Sequence, residues 1–140
     1  MRYLGLDLGT RTLGVSISDI THTIATTLMT IRFEENCYDE LIPKLRELIK
    51  ENNVSKIILG LPKNMNNTLG ERANTTIQFK EKIEREIAIE VELQDERLST
   101  REAESYMIKA DMSRKKRKQK IDSLAANIIL QTYLDRMKGK

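Results

Sequence analysis

What the chain has little of narrows its chemistry first. A single cysteine, Cys37, among 140 residues excludes an intrachain disulfide and a cysteine-rich zinc site. A single histidine, His22, leaves little from which to build a histidine metal centre or a Ser-His-Asp triad. Tryptophan is absent and aromatic residues make up 4% of the chain, too few rings for a surface that stacks the bases of a single strand. No stretch approaches the 18 consecutive apolar residues of a membrane span. Asp7 interrupts the one early apolar run, which therefore does not read as a signal peptide. No internal repeat, low-complexity linker or composition break divides the sequence. These absences predict one domain, residues 1–140, in the cytoplasm.

What is present suits a soluble globular chain, with 39% hydrophobic and 32% charged residues. The net charge is +3, but it is unevenly placed. Arg114, Lys115, Lys116, Arg117, Lys118 and Lys120 fall in one run, and without them the balance is negative. A local basic patch points to a polyanionic partner. With so few aromatics, the backbone and shape of a folded nucleic acid are better targets than its exposed bases.

The stretch from Tyr3 to Gly14 organises the rest. Residues 2–8 and 13–19 are strand-like runs joined by a turn bracketed by Gly9 and Gly14, which predicts paired strands. His22 to Ile31 is threonine-rich and β-branched, a third strand. Leu41, Ile42, Leu45, Leu48 and Ile49 then share one helical face, and Asn52 and Asn53 end that helix. Lys56 to Leu61 is a short apolar strand closed by Gly60 and Pro62. A polar loop from Lys63 to Gly70 follows, long enough to suggest a function of its own. A helix from about Glu71 to Glu86 precedes an alternating strand, Ile87 to Leu93. Ser99 and Glu102 form a capping box that opens a helix to about Ala110. The basic run then reads as a loop, with a last helix starting near Ile121. The order βββαβαβαα predicts an α/β fold, a mixed sheet with helices on its faces.

Three acids interrupt or end apolar elements. Asp7 sits inside the first strand, where a carboxylate is costly unless paired or holding a metal. Glu96 follows the last strand, and Asp122 begins the last helix. In open α/β sheets ligands bind outside the carboxyl ends of the strands. Three carboxylates meeting there would hold hard divalent cations through oxygen, and a pair of such ions can drive an in-line displacement at phosphorus. Each acid also has a plainer reading. Asp7 could hydrogen-bond the Gly9–Thr10 turn, Glu96 could pair with Arg97 or Arg101, and Asp122 could favour a helix N-terminus.

Four blocks of sequence, in order, carry a resemblance. They are Gly5-Leu6-Asp7-Leu8-Gly9-Thr10 with Gly14-Val15; Gly60-Leu61-Pro62 with Met65 and Gly70; Asp95-Glu96-Arg97-Leu98-Ser99-Thr100 with Ala103; and Asp122-Ser123-Leu124-Ala125-Ala126 with Ile129-Leu130-Gln131 and Tyr133-Leu134. Together they resemble the YqgF/RuvX family of pre-16S rRNA nucleases, also described as Holliday junction resolvase-like, over nearly the whole chain. The resemblance implies an RNase H-like fold, with a five-stranded mixed sheet whose first three strands are antiparallel. It implies that Asp7, Glu96 and Asp122 are the catalytic and metal-binding acids, holding Mg²⁺ or Mn²⁺, expected as two ions. The implied activity is phosphodiester hydrolysis in structured RNA, maturing the 5′ end of pre-16S rRNA in ribosome biogenesis. A resolvase of branched DNA and a non-catalytic nucleic-acid-binding module are the alternatives. Expected partners are RNA or four-way DNA and ribosomal precursor particles, without a membrane. Gly9, Thr10, Arg11 and the run Arg114, Lys115, Lys116, Arg117, Lys118 and Lys120 are expected to grip the nucleic acid. The sequence departs from the family pattern at Thr12, Ser16, Thr27 and Asn66-Asn67, none of them an acid of the proposed site.

Overall fold

The computed structural model describes residues 1–62, 70–95 and 114–138, with side chains described at all of these except 95, 114–123 and 138. Five strands, β1 (Arg2–Leu8), β2 (Thr12–Ser18), β3 (Ala25–Arg32), β4 (Val54–Leu61) and β5 (Glu90–Asp95), form one sheet of order β3-β2-β1-β4-β5. β1, β2 and β3 pair antiparallel, while β4 and β5 run parallel to β1. Among the described residues three α-helices accompany it: α1 (Leu41–Asn52), α2 (Glu71–Ile87) and α3 (Arg114–Lys138). This is the five-stranded mixed sheet that the resemblance implies.

Strand periodicity assigns the two faces. Leu4, Leu6 and Leu8 of β1 join Ile57 and Leu59 of β4, Leu45 and Leu48 of α1 and Phe79 and Ile83 of α2 in one buried core. The alternate residues of β1, Tyr3, Gly5 and Asp7, therefore point to the opposite face. There Ile58 of β4 packs with Ile129, Leu130, Tyr133 and Leu134 of α3, and Tyr3 lies against them. Both faces of β1 and β4 are covered, the α1/α2 face by an apolar core and the α3 face by a smaller one that Lys56 and Asp7 flank.

α3 lies directly on β1. A Cβ built on Gly5 would stand 2.4 Å from Ser16 Oγ, 2.7 Å from Leu130 Cβ and 3.0 Å from the Ala126 carbonyl oxygen. Only glycine admits the helix this close. Ser16, where the family usually carries alanine, is buried and donates its hydroxyl to the Ala126 carbonyl at 2.9 Å. Further along, Tyr133 stacks edge-on to Tyr3 and donates its hydroxyl to Glu92 Oε2 at 2.6 Å. α3 thus runs antiparallel to β1, with Ala126 over Gly5 and Tyr133 near Tyr3.

Three expectations are corrected. β3 begins at Ala25 rather than His22. Asp19 Oδ1 accepts the backbone N–H groups of Thr23 at 2.7 Å and Ile24 at 3.0 Å, and His22 takes a left-handed φ of 57°. These contacts make residues 19–24 a turn, despite their β-branched composition. Ile87 closes α2 instead of opening a strand, and Ala88 at φ 59° caps the helix before β5. The alternation Ile87, Ile89, Val91, Leu93 does not distinguish the two, because Ile87 also packs on the core from the helix end. Finally, the basic run is helical, since α3 starts at Arg114. Lys, Arg and Gln are good helix formers and no glycine or proline interrupts them. The capping box Ser99–Glu102 and the helix it would open lie outside the described residues, as does the loop at 63–69.

Candidate active site

Asp7 is the second-last residue of the central strand, half-buried on the α3 face. Its surroundings are set by glycine. Across β2 its partner is Gly14, which contributes no side chain. On the other side the register runs Leu6 to Leu59, and one step further places Asp7 beside Gly60. Gly60 in turn pairs with Gln94 of β5. A row therefore crosses the sheet on one face: Gly14, Asp7, Gly60, Gln94. Both glycines are buried, and neither puts a side chain beside the carboxylate.

Gln94 was not singled out by the sequence. It is 7% exposed, and its Oε1 is buried without a hydrogen-bond partner among the described residues. An orphaned buried acceptor costs about 1–3 kcal/mol and calls for a missing donor or cation. Alternation puts Gln94 with Glu90 and Glu92 on the polar face of β5, so no sequence signal marked it as buried.

Of the other two predicted acids, Glu96 lies outside the described residues, one position past the end of β5. Asp122 is described in its backbone only, within α3. Its position follows from the path of that helix. Moving from Tyr133 to Ala126 takes α3 from Tyr3 to Gly5, and one further turn, about 6 Å, reaches position 122. Two residues of strand, about 7 Å, separate Gly5 from Asp7 in the same direction. Backbone position 122 is thus carried toward Asp7. Among the described residues there is no group of three His, Cys, Asp or Glu side chains that could hold a metal.

The turn after Asp7 is tight. Gly9 N–H donates to the Thr12 carbonyl at 2.8 Å, and a Cβ at Gly9 would meet that oxygen at 3.1 Å. Thr10 and Arg11 are exposed at its tip, and Arg11 makes a loose ion pair with Glu35 at 3.4 Å. Arg72, in the first turn of α2, donates from Nη2 to the Leu8 carbonyl at 2.8 Å. The β1–β4 register ends at Leu6–Leu59, so Arg72 meets a carbonyl beyond it. Among the described residues Arg72 forms no ion pair. A cation in the first turn of a helix opposes the macrodipole, which is the signal that could have found it.

The basic residues Arg114, Lys115, Lys116, Arg117, Lys118 and Lys120 occupy the first two turns of α3. About 18 Å of helix precedes Ala126, against about 10 Å of strand after Gly5. The helix start therefore runs past the end of β1. Asp7, the Gly9–Arg11 turn, Arg72 and this basic helix share one edge of the sheet.

The opposite edge is braced. Lys56 Nζ lies 2.7 Å from Glu92 Oε2 and 3.3 Å from Glu90 Oε2, and it donates to the Tyr133 hydroxyl at 2.8 Å. Burial alone would lower the Lys56 pKa, but the bonds to Glu92 and Tyr133 outweigh it and hold it up. The hydrogen bonds from Lys56 and Tyr133 hold Glu92 below the ordinary carboxylate range. Burial and the bond to Glu92 push Tyr133 up. This cluster ties α3 to β4 and β5 and fixes the helix that reaches Asp7.

A family model described as "RuvX: Holliday junction resolvase" matches residues 1–136. The chain belongs to the RuvX family. A protein named "Putative pre-16S rRNA nuclease" from Geobacillus sp. (strain WCH70) is 51% identical over 135 residues, covering 96% of this chain and 98% of that protein. Proteins of the same name from Bacillus cereus (strain B4264) and Listeria monocytogenes serotype 4b (strain CLIP80459) are 50% and 49% identical over 97% and 96% of this chain, and 99% and 98% of their own lengths. Among solved structures, T. thermophilus RuvC in complex with a Holliday junction substrate superposes with a TM-score of 0.61 at 14% identity, covering 100% of this chain and 97% of that one. Fowlpox virus resolvase with Holliday junction DNA gives 0.60 at 12% identity, over 98% and 99%. This RuvX protein thus has the RuvC-like RNase H fold, and its family and relatives make it a nuclease, a hydrolase of phosphodiester bonds.

Proposed function

We propose that this RuvX protein is a divalent-metal-dependent nuclease that cuts structured RNA and matures the 5′ end of pre-16S rRNA in the cytoplasm, on free precursor or on ribosomal precursor particles. The observation that carries the metal site is Asp7, a half-buried carboxylate between two glycines at the end of the central strand. The residues fit a hard cation. Carboxylate and carboxamide oxygens are the donors that Mg²⁺ and Mn²⁺ take, and Gln94 Oε1, on the same face of the sheet, lacks a partner among the described residues.

Asp7, Glu96 and Asp122 would hold the metal, as two ions. Bound there, it would supply Lewis acidity and a water acidic enough to attack phosphorus. The chain's own residues would do the rest. Gly14 and Gly60 put no side chain between Asp7 and its neighbours, Gly9, Thr10 and Arg11 border the cut strand, and Arg72 offers a fork of donors to a phosphate oxygen. The basic start of α3 holds flanking phosphates.

The test is cleavage of a precursor 16S fragment, with a synthetic four-way DNA junction alongside. Cleavage of the RNA should require Mg²⁺ or Mn²⁺ and fall at least 100-fold in Asp7→Asn. The family description favours one second reading, a junction resolvase. Paired symmetric nicks on the junction with no cut in the RNA would establish it instead.

A further inference from the structure

Gln94 is a buried glutamine, 7% exposed, whose oxygen has no partner among the described residues. Native proteins rarely keep such a group without a use. Its place is specific. Glu92, two residues earlier on the same strand, faces α3 through Tyr133, so strand periodicity puts Gln94 on that face too. Opposite it is Gly60, with no side chain to intervene, and beyond Gly60 is Asp7. Strands two apart in a sheet are about 9–10 Å from axis to axis, a gap that an aspartate, a glutamine and one cation span. Burial keeps bulk water from supplying the missing partner.

We infer that Gln94 is a neutral oxygen donor to the divalent cation held at Asp7, directly or across one water of the cation's hydration shell. This inference rests on the metal-site reading above and adds a ligand to it. Neutral, Gln94 adds an oxygen without adding to the repulsion among three carboxylates. Its orphaned oxygen is a local instability that cation binding relieves.

The inference separates stability from metal affinity. Gln94→Leu removes the orphaned acceptor and puts an apolar side chain of similar size in its place. The metal-free variant should melt at the wild-type temperature or above it, while its Mn²⁺ dissociation constant, by titration calorimetry without substrate, rises about 10–100-fold. Gln94→Glu, which keeps an oxygen, should bind Mn²⁺ at least as tightly as the wild type. A lower melting temperature with unchanged Mn²⁺ affinity in Gln94→Leu would make Gln94 a packing residue and overturn the inference. Should Gln94→Leu not fold, weaker Mn²⁺ binding by Gln94→Glu than by wild type overturns it too. Asp7→Asn is the control. If wild type binds Mn²⁺ and Asp7→Asn does not, the metal site stands whatever Gln94 does. If wild type binds no divalent cation, site and inference fall together.

Discussion

Gly5 and Ser16 decide how closely α3 approaches the sheet. A methyl at position 5 meets Ser16 Oγ, which is held by its bond to Ala126, and also Leu130 Cβ and the Ala126 carbonyl, which no side-chain rotation moves away. Gly5→Ala should therefore lift the helix and cost about 1–3 kcal/mol by overpacking, read as a lower urea midpoint. Because position 122 rides on the same helix, cleavage should fall by more than the loss of folded protein explains. Unchanged stability would mean that the helix sits further from β1 than described. Asp7 was conspicuous in the sequence as an acid within an apolar strand. Gly14 and Gly60 read there as a turn residue and a strand end, and their place on either side of Asp7 was not legible, because it depends on which strands lie beside β1.

At the scale of elements, α3 does most of the positioning. Its end is anchored by Tyr133, Lys56 and Glu92, and its start extends past the sheet with the basic run. The basic patch was legible from composition. Its helical state was not, because a cluster of like charges resembles a solvated loop until a tertiary anchor downstream makes the helix continuous. Replacing Lys115, Lys116 and Lys118 with glutamine should weaken RNA binding and flatten its salt dependence by up to about three phosphate contacts, leaving the cut position in place. Mapped cleavage ends decide it: a displaced cut at full affinity would assign these residues to register instead. The same limit explains Ile87, whose alternation with Ile89, Val91 and Leu93 suits a strand until α2 is seen to claim it.

For the whole molecule, the ionisable groups set a stable window between acid and alkaline limbs. Asp19 is held far below its ordinary value by the Thr21 hydroxyl and the Ile24 and Thr23 backbone N–H groups. Glu92 is lowered as well. A depressed carboxylate stabilises the fold above its unfolded pKa, near 4, and that contribution is lost as pH falls toward the folded value. Lys56 and Tyr133 are both raised. Their contribution is intact below about pH 10, where the unfolded groups titrate, and lost above it. Urea midpoints should be flat from pH 6 to 9, fall by pH 3 and fall again above pH 10. Asp19→Asn should shallow the acid limb, and Tyr133→Phe the alkaline one. A midpoint still constant at pH 3 would contradict the hydrogen bonding assigned to Asp19.

By itself the sequence determined most of the element types, the α/β class and the residues whose chemistry is out of place, such as Asp7 within a strand and the basic run before Asp122. These are local properties, since periodicity and charge clustering are read within a few residues. It also carried the family blocks that named Glu96 and Asp122 alongside Asp7. Only the tertiary structure decided that β4 lies beside β1, which brings Gly60 next to Asp7 and Gln94 into the same row. It also decided that Arg72 reaches the Leu8 carbonyl, 64 residues away in sequence. Those neighbours come from sheet order and helix packing, which depend on burying two apolar faces at once, and no single window of sequence contains both.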